Sequence, residues 1–369
     1  MVEDKKIKIL LSGGGTGGTV TSLLAIADKA VLEGKKWEFI FVGTYNGPEK
    51  GMLEDSLADI RFRPLLSGKL RRYLSFKNII DLFKIIAAFF QAFFILHEEK
   101  PDMILSAGSF ASVPLIWAAG FKRIPVIIHQ QDVRPGLANK LMAPAADIIT
   151  VTFAKSLADY GPKAIWIGNP TKFLEISEYK KLIPSVWDKY GLKSGKPLIL
   201  VTGGRMGAKP LNDLMRGLQD SLNGYQIVHL TGPHIKDPII FNNPDYHILK
   251  ALPHNDFLTL MVSADLVVSR AGLGSLTELS ELNKAVIIIP IPHSHQEDNA
   301  AIFSRAKAAL VLNQKKLSSE KLAAEINSLI SDRERLDNLE NNIFQVIRKG
   351  AALKALDLIE ELFEAKRKK

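Results

Sequence analysis

The sequence predicts two doubly wound α/β domains in tandem, and three observations carry that expectation. Apolar, strand-like runs alternate with helical stretches from end to end, the pattern of parallel βα units rather than of a sandwich or a helix bundle. Glycine-bearing turns follow four of these runs, two in each half of the chain, at 11–19, 107–110, 203–208 and 270–275. At 369 residues the chain exceeds what one hydrophobic core usually supports, so two domains are expected.

In the first half, strands are expected at 7–11, 37–42, 103–106, 126–129, 148–151 and 164–167. The pattern pauses from Gly168-Asn169-Pro170 to Ser194-Gly195-Lys196-Pro197, which reads as a linker and an entry helix. It resumes with strands at 198–202, 227–230, 247–249, 266–269, 286–290 and 310–312. The tail is a charged helix whose last residues, Lys366-Arg367-Lys368-Lys369, read as a solvated, frayed end. These breaks divide the chain into domains at 1–168 and 169–345, with 346–369 as a C-terminal helix.

Composition narrows the setting. Apolar residues make up 47% of the chain, ordinary for a folded protein, and the absence of cysteine rules out disulfides and thiolate chemistry. A bacterial or cytosolic setting is the plain expectation. The charged start, Met1 to Lys6, lacks the apolar stretch of a signal peptide.

The net charge of +9 admits nucleic acid, an anionic membrane surface or phosphorylated small molecules as partners. Lys69, Arg71 and Arg72 stand just before the most apolar stretch, 79–96, which favours a membrane surface and no nucleic acid. Within that stretch Lys77, Asp81, Lys84, Ala88 and Gln91 fall on one narrow helical stripe, with Phe83, Phe89, Phe90, Phe93 and Phe94 among the apolar residues around the rest. Asp81 and Lys84 argue against a span across the bilayer. A crossover helix buried on two sides and a helix lying in the lipid interface both give this pattern.

The first glycine turn satisfies a dinucleotide fingerprint literally through Gly13, Gly15 and Gly18. The acidic residue that should close the next strand is missing, because that strand ends in Val42-Gly43-Thr44, and a dehydrogenase is disfavoured. The second-half turn is more specific. After a buried strand it opens a helix, then sets Glu278 about one turn inside, with Ser275 and Thr277 able to cap or donate. Phosphate at the turn with ribose hydroxyls on Glu278 would suit a nucleoside diphosphate; a surface acid favoured by the helix dipole is the other reading. His129-Gln130-Gln131-Asp132 ends a buried strand, at the edge where open α/β sheets bind ligands. The His293 to Asn299 loop lacks the spaced geometry of zinc ligands, so no metal is expected there, and no cofactor.

Taken together, these segments resemble the MurG family, inverting N-acetylglucosaminyltransferases that convert lipid I to lipid II in peptidoglycan synthesis, a step in cell-wall biogenesis, cell shape and division. The likeness runs nearly the whole chain in order. Gly14-Gly15-Thr16-Gly17-Gly18 is similar to the family's first glycine loop, Gly108-Ser109-Phe110 with the residues to Pro114 to its second, and His129 to Asp132 to its His-Glu-Gln-Asn segment. Gly168-Asn169-Pro170 resembles the interdomain signature, Gly203 to Asn212 the third loop, Arg270 to Glu278 the donor helix, and His295-Gln296 with Asn299 the sugar-contacting loop.

The resemblance implies a GT-B fold, two Rossmann-like domains facing across a cleft, with the last helix returning to the first domain. It implies UDP-N-acetylglucosamine as donor: Glu278 on the ribose, Leu273 and Gly274 on the diphosphate, Gln296 and Asn299 on the sugar, and the backbone near His254 on the uracil. Arg270, Ser275, Asn212 and Arg205 belong to the same donor set, as do Thr16, Gly17 and Gly18 of the first loop, and Lys172 is a cation for the leaving diphosphate. A polyprenyl-diphosphate-linked acceptor would lie on Gly14, Gly15, Gly108, Ser109, Phe110 and Gln131. The enzyme would sit peripherally on the cytoplasmic face of the cell membrane.

The sequence departs from the family mainly on the acceptor side. Thr19 stands where the first loop carries histidine, Phe110 for tyrosine, Gln130 for glutamate, Asp132 for asparagine, and Arg205-Met206 for Ser-Gln. Threonine cannot take a proton at neutral pH, so His129 and Asp132 join Thr19 as the candidates around the attacking hydroxyl. A transferase for another lipid-linked acceptor, a UDP-sugar 2-epimerase and a non-catalytic scaffold are the alternatives.

Overall fold

The computed structural model describes residues 6–14, 17–47, 49–67, 76–173, 175–218, 221–235 and 243–368. The chain divides into two compact units, one formed by Met1–Lys172 with Arg348–Lys369 and the other by Phe173–Ile347.

The first unit is built on a seven-stranded sheet: β1 (Lys8–Ser12), β2 (Glu38–Thr44), β3 (Ile60–Leu65), β4 (Met103–Ser106), β5 (Val126–Gln130), β6 (Ile148–Val151) and β7 (Ala164–Trp166), in the order β3-β2-β1-β4-β5-β6-β7. All pairings are parallel. The central strands read as continuous apolar runs because helices cover both faces. The edge strand β3 is different. Its Arg61 pairs with Glu38 at 2.5 Å and Glu99 at 3.1 Å, and Arg63 pairs with Glu98, so a strand the hydrophobic pattern does not reveal is held at the edge by charge.

One face of this sheet is covered by the helices Gly17–Leu32 and Ala351–Arg367, whose Leu23, Ile26, Leu356 and Ile359 share a core with Ile9, Phe39 and Leu105. The last helix thereby belongs to the first unit, although it follows the second in sequence. On the other face, the helix Phe76–Glu99 buries Ala88, Ala92, Ile95 and Leu96 against the helix Val113–Lys122 and the sheet. Its Gln91, from the sequence-predicted polar stripe, is half-buried and bonds Leu66 N and Pro64 O.

The second unit carries six strands: β8 (Leu198–Thr202), β9 (Gln226–Leu230), β10 (Tyr246–Leu249), β11 (Leu266–Ser269), β12 (Val286–Ile288) and β13 (Leu310–Val311), ordered β10-β9-β8-β11-β12-β13 and again parallel. Ile199, Val201, Val268 and Ile287 form its centre with Leu211, Met215 and Leu322 from flanking helices.

In each sheet the strand order reverses beside the first strand of the unit, between β1 and β4 and between β8 and β11. Crossovers leave in opposite directions from such a point and open a crevice at the carboxyl ends. The register sets Ser12 against Ser106 and Thr202 against Ser269, so each pair of glycine turns leaves its sheet side by side.

Candidate functional site

In the first unit, β1 ends at Ser12 and the helix Gly17–Leu32 follows. A Cβ on Gly14 would sit 2.2 Å from Oε1 of the buried Glu49, so a side chain there would displace that carboxylate, which also accepts from Thr44 Oγ1 at 3.1 Å. Gly15 and Thr16 lie outside the described residues, as do Lys69, Arg71 and Arg72. Gly17 and Gly18 are exposed at the helix start. Thr19 is half-buried and its hydroxyl faces Gly14 O at 3.5 Å.

A chain of hydrogen bonds joins this helix start to the end of β5. Gln131 Nε2 donates to Gly18 O at 3.0 Å and to Ser22 Oγ at 2.7 Å, and Ser22 Oγ donates to Asn169 Oδ1 at 3.2 Å. His129 Nε2 meets the same Asn169 oxygen at 3.2 Å, and its Nδ1 lies 3.0 Å from Thr150 Oγ1. Because an amide oxygen only accepts, the Nε2–H tautomer is assigned. Burial pushes the ring down to about 4, so it is neutral at physiological pH. Of the three residues expected around the attacking hydroxyl, His129 is buried and engaged at both nitrogens, Thr19 is half-covered, and Asp132 is exposed.

The second turn is conformationally unusual. Gly108 has φ +94°, and Ser109 follows at φ +107°, a region non-glycine residues seldom occupy. Ser109 Oγ accepts from Ala111 N at 3.2 Å and steadies the short 3₁₀ turn that begins with Phe110. Phe110 is half-buried against the core beneath. Beside Gly108 lies Asn139, whose Oδ1 is buried and has no hydrogen-bond partner among the described residues. Neither Asn139 nor Glu49 stands in a recognisable motif, and nothing in the sequence alone points to them.

Lys172 is held within the first unit. Its ammonium pairs with the buried Asp28 at 2.5 Å and donates to Asp55 O at 3.0 Å, so its charge is already engaged at that carboxylate.

In the second unit, the turn after β8 exposes Arg205 and Met206. Gly207, at φ +73°, has no room for a side chain, since a Cβ would lie 2.0 Å from Thr231 O. Asn212 is buried below this turn: Nδ2 donates to Thr231 O at 3.0 Å and Oδ1 meets His229 Nε2 at 3.0 Å, while Tyr246 OH contacts His229 Nδ1 at 2.9 Å. These groups hold the turn against β9, and Asn212 lies beneath its surface.

The turn after β11 has an open face. Gly272 caps the helix Leu273–Glu281, and a Cβ at either Gly272 or Gly274 would meet nothing within 4 Å. The first backbone N–H groups of a helix, with the positive end of its dipole, form an anion site wherever side chains leave room. Beneath the turn the buried Arg270 donates from Nη1 to Ile289 O at 2.8 Å, with burial lowering its pKa. Ser275 is half-buried, and Thr277 donates back to Leu273 O at 2.8 Å. Glu278 is half-buried with no hydrogen bond or ion pair to its carboxylate among the described residues, and desolvation raises it to about 7.

A second helix start, His295–Arg305, stands on the neighbouring strand β12. Asn299 is buried and donates to Ala271 O at 3.1 Å, tying that helix to the β11 turn, while Gln296 Oε1 accepts from Ile291 N at 3.2 Å. His254 opens a further helix, His254–Ser263, and is exposed. No cluster of three metal-ligating side chains occurs among the described residues.

The chain matches known proteins along almost its entire length. Residues 9–151 match the glycosyltransferase family 28 N-terminal domain, and residues 198–360 the family 28 C-terminal domain. The UDP-N-acetylglucosamine--N-acetylmuramyl-(pentapeptide) pyrophosphoryl-undecaprenol N-acetylglucosamine transferase of Clostridium botulinum (strain Langeland) is 35% identical over 357 residues, covering 93% of this chain and 99% of that one. The chain belongs to the MurG family. Its fold matches the crystal structure of Acinetobacter baumannii MurG with a TM-score of 0.75 at 23% identity, over 96% of this chain and 99% of that one. It also matches Neisseria meningitidis UDP-GlcNAc 2-epimerase with a TM-score of 0.65 at 15% identity, over 96% of this chain and 100% of that one. This MurG-family chain is thus a family 28 glycosyltransferase on two Rossmann-like units. The fold is shared with an epimerase, so fold by itself does not choose the reaction.

Proposed function

We propose that this chain transfers N-acetylglucosamine from UDP-N-acetylglucosamine to N-acetylmuramyl-(pentapeptide) pyrophosphoryl-undecaprenol, the step from lipid I to lipid II. One observation in the second unit carries the donor side. Gly272 and Gly274 leave the start of a helix open, and Glu278 lies one turn inside with no partner for its carboxylate among the described residues. Diphosphate on those N–H groups and ribose hydroxyls on Glu278 account for both. Gln296 and Asn299 border the same edge, where the sugar would lie.

In the reaction, an acceptor hydroxyl oxygen attacks the anomeric carbon while the bond from that carbon to the diphosphate oxygen breaks, giving inversion. The two helix starts offset the negative charge that gathers on the leaving UDP. Asp132, exposed at the carboxyl end of β5, takes the hydroxyl proton, and Thr19 contributes a hydrogen bond. His129 sustains the scaffold of this loop through Asn169.

The acceptor's lipid calls for a membrane surface. No helix among the described residues is long and apolar enough to cross a membrane. The first unit instead exposes Phe90 (67%), Phe94 (63%) and Phe121 (76%), and Lys122 lies 5.4 Å above the Phe93 ring, with Arg123 following. An exposed aromatic patch bordered by cations suits the interface of an anionic leaflet. We place the enzyme peripherally on the cytoplasmic leaflet, where UDP-sugar is available.

Incubation with radiolabelled UDP-N-acetylglucosamine and lipid I tests the assignment. Label in the lipid product is expected; release of a free epimer, or binding with no turnover, would overturn it.

A further inference from the structure

Gln130, the last residue of β5, is 1% exposed, yet every hydrogen-bonding position of its side-chain amide is used. Nε2 donates to the backbone carbonyls of Asp132 at 2.7 Å and Arg134 at 3.1 Å. Oε1 accepts from Asn139 Nδ2 at 2.6 Å and from the Tyr160 hydroxyl at 2.9 Å. Two carbonyls can only accept, so the amide orientation is unambiguous and an N–H donor is required on that side.

The turn held in this way carries the two residues that face the first glycine loop and solvent. Gln131 reaches back to Gly18 and Ser22, and Asp132 stands exposed one residue further. Beyond the turn, Lys140 N donates to Gly136 O as the helix Leu137–Met142 begins, and Asn139 on that helix returns to Gln130. Gln130 therefore anchors both ends of the segment.

We propose that Gln130 is a positioning residue for the acceptor side: by donating twice into the 132–134 turn it sets the amide of Gln131 against the first glycine loop and the carboxylate of Asp132 at the sheet edge. The consequence for Asp132 rests on the transferase reading above; the clamp itself does not. A glutamate of the same shape reverses the chemistry. Ionised, it sets an acceptor oxygen where Nε2 donated to two carbonyls, while its other oxygen keeps the place of Oε1; protonated on the first, it recovers a single donor. Position 130 here calls for an amide, although the family pattern has glutamate. Tyr160 is the titratable side chain in contact, and burial raises its hydroxyl to about 12, so it donates throughout the working pH range. Asp132 and Arg134 meet the amide through their main-chain carbonyls, and the His129 ring is directed to Thr150 and Asn169.

The test uses the full chain with Gln130→Glu and Gln130→Met, read by hydrogen exchange of peptides spanning 131–142 and by steady-state transfer. Both substitutions are expected to speed exchange there at least tenfold at neutral pH, with KM for UDP-N-acetylglucosamine unchanged and kcat lowered. In Gln130→Glu, protection and kcat recover as pH falls through the titration of the new carboxyl; in Gln130→Met they do not. A Gln130→Glu variant with wild-type exchange and a wild-type pH profile overturns the proposal. Where the glutamate variant fails to fold, Gln130→Met decides: native protection of 131–142 overturns the clamp, and loss confined to that segment supports it. Wild-type protein that moves no label into lipid I defeats the transferase reading, while the exchange data still decide the clamp.

Discussion

His129 Nε2 and Asn169 Oδ1 meet at 3.2 Å inside the first unit, and the ring's other nitrogen is taken by Thr150. A histidine that the sequence presents at a ligand-binding strand end is thereby part of the interior. The second unit repeats the arrangement, with His229 between Asn212 and Tyr246.

Both rings are lowered by burial from 6.5 to about 4. As pH falls, the unfolded chain takes these protons first, so the stability each neutral ring contributes is complete above about 6.5 and declines between 6.5 and 4. The loss is on the order of 3 kcal/mol per ring. Denaturation at stepped pH should show this acid limb, flattened in His129→Gln. An unchanged limb in a folded variant would contradict the burial argument.

At Glu278 burial shifts the group the other way, upward. Its carboxyl is raised to about 7, so the ionised form that best accepts two ribose hydroxyls grows in as pH rises through 7. UDP-sugar affinity should strengthen over that interval in the wild type and stay flat in Glu278→Gln, with Glu278→Ala weaker by roughly 10- to 100-fold, the range for lost charge-assisted bonds. Calorimetry across pH 6 to 8 (about one unit either side of that pKa) checks it.

Glycines separate into two kinds by what surrounds them. Gly168, at φ +90°, has Arg348 O only 2.1 Å from a would-be Cβ, whereas Gly274 faces open space. Gly168→Ala should lower stability by about 2 kcal/mol or more. Gly274→Ala should leave free-protein stability within about 1 kcal/mol, or raise it, since alanine favours a helix. Donor affinity should nonetheless fall, because the new methyl occupies the phosphate approach. Melting curves and donor titration on the same samples distinguish the two effects.

The aromatic patch yields a further expectation. Replacing Phe90 and Phe94 by serine removes apolar surface that is already exposed, so the melting temperature should hold. Binding to vesicles containing anionic lipid should drop by roughly tenfold or more, given about 1.5–3 kcal/mol for fully burying one such ring. Wild-type co-sedimentation by the double variant would remove the membrane reading of this face.

The strands that the sequence discloses are those buried on both faces, where nearly every residue must be apolar, as in β1, β4, β8 and β11. The edge strand β3 stayed hidden because alternate positions hold Arg61 and Arg63, which satisfy carboxylates instead of filling a core. The helix Phe76–Glu99 shows a related limit. Periodicity marks its apolar residues, yet small Ala88 and Ala92 face the protein while Phe90 and Phe94 face outward. Hydropathy ranks side chains, whereas close packing between helices selects small ones.

By itself the sequence determined the two parallel-sheet units, the four glycine turns at their strand ends and the family likeness, because main-chain geometry and two-sided burial restrict residue type locally. Tertiary structure decided which candidate groups have partners. Lys172 is held by Asp28, His129 by Asn169 and Thr150, and Asn212 by His229, each through a residue distant in the chain. Glu278 keeps an unpartnered carboxylate among the described residues. Hydrogen bonding and desolvation depend on neighbours in space, and it is the fold that supplies those neighbours.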